Sequence, residues 1–343
     1  MDNQKEEKPF ISVIIPTRRK SEILNHCLDS LLHQDYPGDR YEIILVPESK
    51  LILEESERIR IIYNTTYAQS RNMAAKIARG ELFAYVDDDC VVPTDWLSKA
   101  VKYFKDSKVG LIGGPALPPK NEIELRYRIG GYLLGSPFVT AFGSSRYRFI
   151  SYTYEAKEHD LLTANNFVRR EAFDAVAGFD MEISASEETD LYFRLRDKGY
   201  KLLYVPEIFV WHRSRPIFWP IINKIFCYAT GRGILMAKKP RTIRFIYLIP
   251  TICIVGLVAL LMLSFVFQDA WRVLLIVFAA YFISDGINAL HIFFKQEKNL
   301  WVLWGSLPTT PFIHLSYGLG ILYGFYTYHT SHRKKELRLD GKY

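Results

Sequence analysis

A chain of 343 residues is longer than one compact core usually holds, so a soluble domain joined to something else is the first expectation. The net charge of +7 describes neither half: residues 1–211 carry 28 Lys and Arg against 32 Asp and Glu, whereas residues 212–343 carry 16 against 5. The basic residues of the second half flank long uncharged runs instead of striping a soluble face, which points to anionic lipid headgroups and away from nucleic acid. Cys27, Cys90, Cys227 and Cys253 show neither metal spacing nor a disulfide framework, which fits a reducing compartment. No apolar run before Phe10 has the length of a signal peptide.

The first hundred residues alternate strand and helix patterns in the manner of βαβ units over a mostly parallel sheet, an α/β class. Phe10–Ile15 reads as a strand. Ser21–His33 follows helical spacing through Ile23, Leu24, Leu28, Leu31 and Leu32. Tyr41–Val46 and Arg58–Tyr63 are further strands, Ala68–Arg79 is a helix stopped by Gly80, and Leu82–Val86 is a strand running into Asp87, Asp88 and Asp89. Three carboxylates at the carboxyl end of a strand repel one another, and a divalent cation relieves that repulsion while offsetting the charge of a diphosphate. Residues 120–160 are aromatic-rich and irregular, without an assigned element.

After His212 the pattern changes. Ile217–Met236 mixes aromatic and aliphatic residues with Lys224 and Arg232, as a helix lying in the headgroup region would. Phe245–Gln268 runs 24 residues without a formal charge, more than the roughly 20 a helix needs to cross the hydrocarbon. Val273–Phe294 is a second such segment, interrupted by Asp285, which should face protein and not lipid. In Asn299–His332, Pro308 and Pro311 should separate a short interfacial piece from a third span near 309–330. The organisation expected is therefore a catalytic domain over 1–212, an interfacial stretch over 213–244, a membrane block over 245–332 and a basic tail over 333–343. Lys238, Lys239, Arg241 and Arg244 put the catalytic domain in the cytoplasm by the positive-inside bias, and Lys295 and Lys298 agree. The cations of the tail oppose that bias if the last segment crosses fully, which leaves the tail's side open.

Six stretches in order carry a family resemblance: SVIIPTRR at 12–19, QSRNMAAKIARGELFAYVDDD at 69–89, GG at 113–114, NNFVRREAFDAVAGFD at 165–180, EETDLYFRLRDKGYKLLYVPE at 187–207 and VWH at 210–212. Residues 10–212 thus resemble an inverting family 2 glycosyltransferase of the GT-A fold. The resemblance implies a nucleotide-sugar donor held at Pro16, Thr17 and Arg18. Glu48 stands where the family's acid contacts base or ribose, within VPES, where the family commonly has two aspartates. Arg71 is the implied cationic contact to the nucleotide, Asp87 a nucleoside contact, Asp88 the variable middle position and Asp89 a ligand of Mg²⁺ or Mn²⁺, with His212 approaching the metal or diphosphate. The general base falls on Glu188, one methylene longer than the family's aspartate, with Glu187 as the alternative; Asp190 is read as an acid offsetting the dipole of its own helix.

Together with the membrane helices, the resemblance implies a lipid-linked or otherwise membrane-associated acceptor and contact with membrane lipids, as in enzymes that build exopolysaccharides or lipid-linked oligosaccharides. A polyprenyl-phosphate sugar synthase differs from this only in acceptor. An inactive membrane scaffold retaining the fold is the alternative of another class. A processive synthase would carry Gln-x-x-Arg-Trp, which is not found.

Overall fold

The computed structural model describes residues 8–17, 21–47, 55–63, 67–119, 122, 124–183 and 186–339; Arg18 and Glu48 lie outside the described residues. The strands are β1 (Ile11–Thr17), β2 (Tyr41–Pro47), β3 (Ile59–Ile61), β4 (Leu82–Val86), β5 (Cys90–Val91), β6 (Val109–Gly113), β7 (Ala116–Leu117), β8 (Tyr154–Glu155), β9 (Asn165–Arg169), β10 (Lys201–Tyr204) and β11 (Val210–His212). The α-helices are α1 (Glu22–Leu32), α2 (Tyr67–Ile77), α3 (Trp96–Val101), α4 (Leu125–Leu134), α5 (Pro137–Thr140), α6 (Arg170–Ala175), α7 (Glu187–Asp197), α8 (Trp219–Lys238), α9 (Phe245–Ser264), α10 (Gln268–Lys295) and α11 (Leu300–Leu339). The chain divides into two compact units, residues 1–121 with 142–213, and residues 122–141 with 214–343.

The first unit is an α/β domain on an eight-stranded sheet ordered β3-β2-β1-β4-β9-β6-β10-β8. Its first four strands run parallel, as the βαβ pattern predicts. The sheet then becomes mixed: β9 enters antiparallel between β4 and β6, β10 is parallel to β6, and β8 closes the edge antiparallel. Both faces are covered, so successive residues of a central strand enter different cores. Ile11, Val13 and Ile15 pack with Leu24 and Leu31 of α1, and Trp96 and Leu97 of α3. Ile14, Phe83 and Tyr85 pack with Ala74 of α2, Phe173 of α6, and Leu191 and Leu195 of α7. Doubly buried strands read as continuous apolar runs, which is why β1 and β4 stand out in the sequence. Helix α1 begins where the Ser21 hydroxyl accepts from the Leu24 amide at 3.2 Å, an ordinary N-cap.

A second, three-stranded sheet, β5-β11-β7, sits in the same unit and positions part of the site. Its β11 pairs antiparallel with β5 so that His212 lies opposite Cys90.

The second unit is helical and takes in residues 122–141, from the stretch left without an assigned element. Helices α9 and α10 are long and apolar enough to cross a membrane. Val258 and Met262 on α9, and Ile276 and Ile283 on α10, are exposed, unlike the apolar residues of a soluble core helix. Helix α11 departs from expectation: Pro308 and Pro311 lie inside one continuous helix and do not divide it. Each proline removes an amide donor. The Thr309 and Thr310 hydroxyls bond the Gly305 and Ser306 carbonyls one turn back, at 2.6 and 3.1 Å. Close packing on α8 adds to this: a Cβ at Gly324 would meet the Thr230 carbonyl oxygen at 2.3 Å, and one at Gly320 would meet the Phe226 carbonyl oxygen at 2.8 Å. Small residues at such positions let two helix backbones approach, and that packing favours a continuous α11. His314 joins α11 to α5 and α10, with Nε2 3.1 Å from the Phe138 carbonyl oxygen and Nδ1 2.8 Å from the Tyr281 hydroxyl.

Candidate active site

The site gathers at the carboxyl end of β4, where the strand register delivers Asp87, Asp88 and Asp89. All three are half-buried, following a fully buried strand. Pro16 and Thr17 end the neighbouring β1, and the buried Thr17 hydroxyl donates to the Asp88 carboxylate. The expected nucleotide-holding turn and the acidic run are therefore one local structure, with Asp88 anchored to the strand beside it.

Pairing of β11 with β5 brings His212 next to Asp89, and its Nε2 lies 3.2 Å from Asp89 Oδ1. Cys90 completes a group whose possible ligand atoms lie within 4.8 Å of one another. Burial, reinforced by Asp89 and Asp87, pushes the Cys90 thiol well above its ordinary range, and its sulfur lies 3.7 Å from the Ala164 carbonyl oxygen. A protonated thiol is a poor ligand for a hard cation, whereas carboxylate oxygen and imidazole nitrogen suit Mn²⁺ and, with less nitrogen preference, Mg²⁺. Asp89 and His212 thus fit a divalent ion, and Cys90 packs beneath them.

Arg71 links this edge to the second acidic group. It projects from α2 into the interior, 4% exposed, with Nη1 2.8 Å from Glu187 Oε1 and Nη2 3.7 Å from Asp87 Oδ1. The Thr163 hydroxyl lies 3.5 Å from Nη2, and the Phe179 ring stands 5.5 Å from the guanidinium carbon. Burial disfavours the cation, but Glu187, Asp87 and Glu188 outweigh it and hold the guanidinium more firmly protonated than usual. Glu187, in turn, is pushed up to about 7 by burial and by Glu188, against the pull of Arg71. Glu188, the next residue in the first turn of α7, is half-buried, and its charge acts on Arg71, Glu187 and Tyr192.

The scaffold around these groups explains several other motif residues. Asn72 donates to the Phe179 carbonyl at 2.8 Å and accepts from the Phe179 amide at 2.9 Å, holding the turn that supplies the ring beside Arg71. Gly178 enters that turn at φ +67°, and a Cβ there would strike Asn72. Asp190 is fully buried and receives Arg194 Nε at 2.8 Å, while the same guanidinium also bonds the Val176 and Gly178 carbonyls. Asn165 accepts from the Trp96 indole at 3.0 Å and donates to the Ile208 carbonyl at 2.6 Å, tying β9 to the approach of β11. Thr163 and Phe179 had no marker in the sequence as neighbours of Arg71, since the contact depends on two separate loops meeting α2.

This fold and this convergence of acids define a GT-A glycosyltransferase domain. Residues 12–176 match the family model described as Glycosyl transferase family 2. The glycosyltransferase AglE of Haloferax volcanii is 25% identical over 244 residues, covering 65% of this chain and 73% of that protein. The dolichyl N-acetyl-alpha-D-glucosaminyl phosphate 3-beta-D-2,3-diacetamido-2,3-dideoxy-beta-D-glucuronosyltransferase of Methanococcus voltae is 22% identical over 288 residues, 78% of this chain and 88% of that protein. Among solved structures, the mannosyltransferase PcManGT from Pyrobaculum calidifontis, in complex with GDP-Man and Mn²⁺, shares the fold with a TM-score of 0.61. That likeness covers 93% of this chain and 88% of that chain at 16% identity.

Proposed function

We propose that the chain transfers a sugar from a nucleotide-sugar donor to a lipid-carried acceptor at a membrane, with inversion at the anomeric carbon. The observation that carries the reading is the Arg71 bridge, which joins Asp87 on the nucleotide side to the acids that open α7. Donor and acceptor chemistry need groups of opposite task held close together, and a buried guanidinium between two acids fixes both. Pro16, Thr17 and Asp87 hold the nucleoside, together with Arg18 and Glu48 from outside the described residues. Asp89 and His212 would hold Mg²⁺ or Mn²⁺, which when bound offsets the charge of the departing diphosphate.

Glu188 takes the proton of the acceptor hydroxyl. The freed oxygen attacks the anomeric carbon as its bond to the diphosphate oxygen breaks, and nucleoside diphosphate leaves. Glu187 is the weaker choice for the base because its 2.8 Å contact with Arg71 occupies it. Its role is to position Arg71.

The acceptor class draws on the apolar faces of α9 and α10, which suit embedding in lipid, and on the Methanococcus voltae relative, whose name specifies a dolichyl phosphate sugar. The membrane block would comprise segments near 245–268, 273–294 and 309–330, with the transferase domain in the cytoplasm.

The test uses the purified full chain, a panel of nucleotide sugars, membrane lipid extract and controlled Mg²⁺ or Mn²⁺. Release of nucleoside diphosphate should require extract and metal and vanish in Asp89→Ala. Glu188→Gln should lose transfer by about a thousandfold while still binding donor. Full activity in Glu188→Gln would remove Glu188 as base. Donor neither bound nor cleaved under any condition would favour the inactive scaffold.

A further inference from the structure

The second unit holds a cation without a countercharge among the described residues. Arg232, on α8, is 8% exposed, and its Nη1 is buried with no hydrogen-bond partner among the described residues. Its guanidinium carbon lies 4.4 Å from the centroid of Tyr247, the third residue of α9. Three carboxylates described in this unit are committed elsewhere: Glu124 pairs with Arg126, Glu297 with Arg128, and Asp269 with Arg272. Asp285 lies buried on α10 beside the Thr310 hydroxyl, and no ion pair joins it to Arg232 among the described residues. A guanidinium stays charged, and burying it without an anion costs several kcal/mol, on the order expected for any unpaired buried ion.

The first turn of α9 supplies the complementary features. No side chain caps it and no acidic residue occupies it; the Tyr247 amide bonds the Arg244 carbonyl at 3.0 Å, and the amides of Phe245 and Ile246 ahead of it present a partial positive charge. Its N-cap is Arg244, the last of the four cations Lys238, Lys239, Arg241 and Arg244, and the apolar run begins at Phe245. A basic segment turning directly into a membrane-spanning helix marks the level of the lipid phosphates. Tyr247 covers one face of the guanidinium, and guanidinium edges pair with phosphate oxygens in a fork.

We infer that Arg232 and the first turn of α9 form a binding site for a lipid-borne phosphate. The inference rests on the reading of the second unit as membrane-embedded. The phosphate belongs either to a polyprenyl phosphate, which would make this an acceptor-holding site, or to a bilayer phospholipid that seats the helices.

Native mass spectrometry of the full chain in neutral detergent tests it, with polyprenyl phosphate, phosphatidylglycerol or diacylglycerol added at equal concentration. Both or one of the phosphate lipids should be retained at least about tenfold better than diacylglycerol, and Arg232→Gln should erase that preference, the scale of a lost charged hydrogen bond. Arg232→Lys should restore part of it. Arg272→Gln, near the far end of α9, should leave it intact. Retention of polyprenyl phosphate alone identifies the acceptor site, and retention of both identifies a phospholipid seat. Equal retention of diacylglycerol, or a preference unchanged in Arg232→Gln, overturns the inference.

If Arg232→Gln does not fold, hydrogen exchange on the unaltered protein decides. The amides of Phe245 and Ile246 should slow with phosphate lipid and not with diacylglycerol, and no slowing with either counts against the site. Recovery of the chain in the soluble fraction without detergent would instead refute the membrane placement.

Discussion

Each unit of this molecule buries an arginine, and the two are solved in opposite ways. Arg71 in the transferase domain is met by Glu187 at 2.8 Å and Asp87 at 3.7 Å, with the Thr163 hydroxyl and the Phe179 ring around it. Arg232 in the helical unit has the Tyr247 ring and no acid among the described residues. A buried charge needs either partners supplied by the fold or partners supplied by something bound. The first arrangement is a finished piece of machinery, whereas the second is complete only with a ligand. Their substitutions should therefore behave differently.

Arg71→Met tests the finished case and should have the largest effect. Removing one partner strands Glu187, a mostly buried acid, so stability should fall by about 3–5 kcal/mol. Transfer should drop by about a hundredfold or more in whatever fraction remains folded, because Asp87 and the α7 acids lose their common anchor. Thermal melting and nucleoside diphosphate release read the two effects separately. A variant that melts normally would mean that the bridge is dispensable.

Much of the transferase domain was legible beforehand because doubly buried strands write themselves as apolar runs: β4 falls at Leu82–Val86 as expected, and α1 begins at the cap Ser21. The acids of the proposed site were legible for a related reason, since Asp87, Asp88 and Asp89 follow such a strand directly. What could not be read was pairing at a distance. Nothing local to Val210–His212 announces that it pairs with Cys90–Val91, yet that register sets His212 beside Asp89. The antiparallel entry of β9 is likewise a property of the sheet and not of NNFVR. In the helical unit, the prolines of α11 lie inside one continuous helix because packing on α8, where Gly320 and Gly324 let the backbones approach, overrides local propensity. The membership of residues 122–141 in that unit was hidden for the same reason: their partners, such as Glu297 for Arg128 and Asn288 for Ser136, lie far along the chain.

A finer probe of the Arg71 bridge is its response to pH. Burial and Glu188 raise Glu187 to about 7, against Arg71, from an ordinary value of 4.5. A raised acid favours the fold while neutral, so its contribution is fully present below about pH 4.5 and is lost as pH climbs through about 7. Melting temperature measured from pH 5 to 8 should decline for this reason, and Glu187→Gln, neutral throughout, should flatten the decline.

Arg232→Met should have the smallest effect on stability, and its sign carries the comparison. In a neutral detergent without phosphate lipid, the substitution removes an unpaired buried cation and keeps most of the stem that packs beside Tyr247, so melting should be unchanged or rise slightly, within about 1 kcal/mol. With the preferred phosphate lipid present the order should reverse. The unaltered chain gains stability by mass action, and the variant, lacking the guanidinium, gains little. Arg71 has its partners in every condition, so Arg71→Met should be destabilising in both detergent and lipid. If Arg232→Met is as damaging without lipid as Arg71→Met, the guanidinium has a partner within the protein and the two arginines are alike after all.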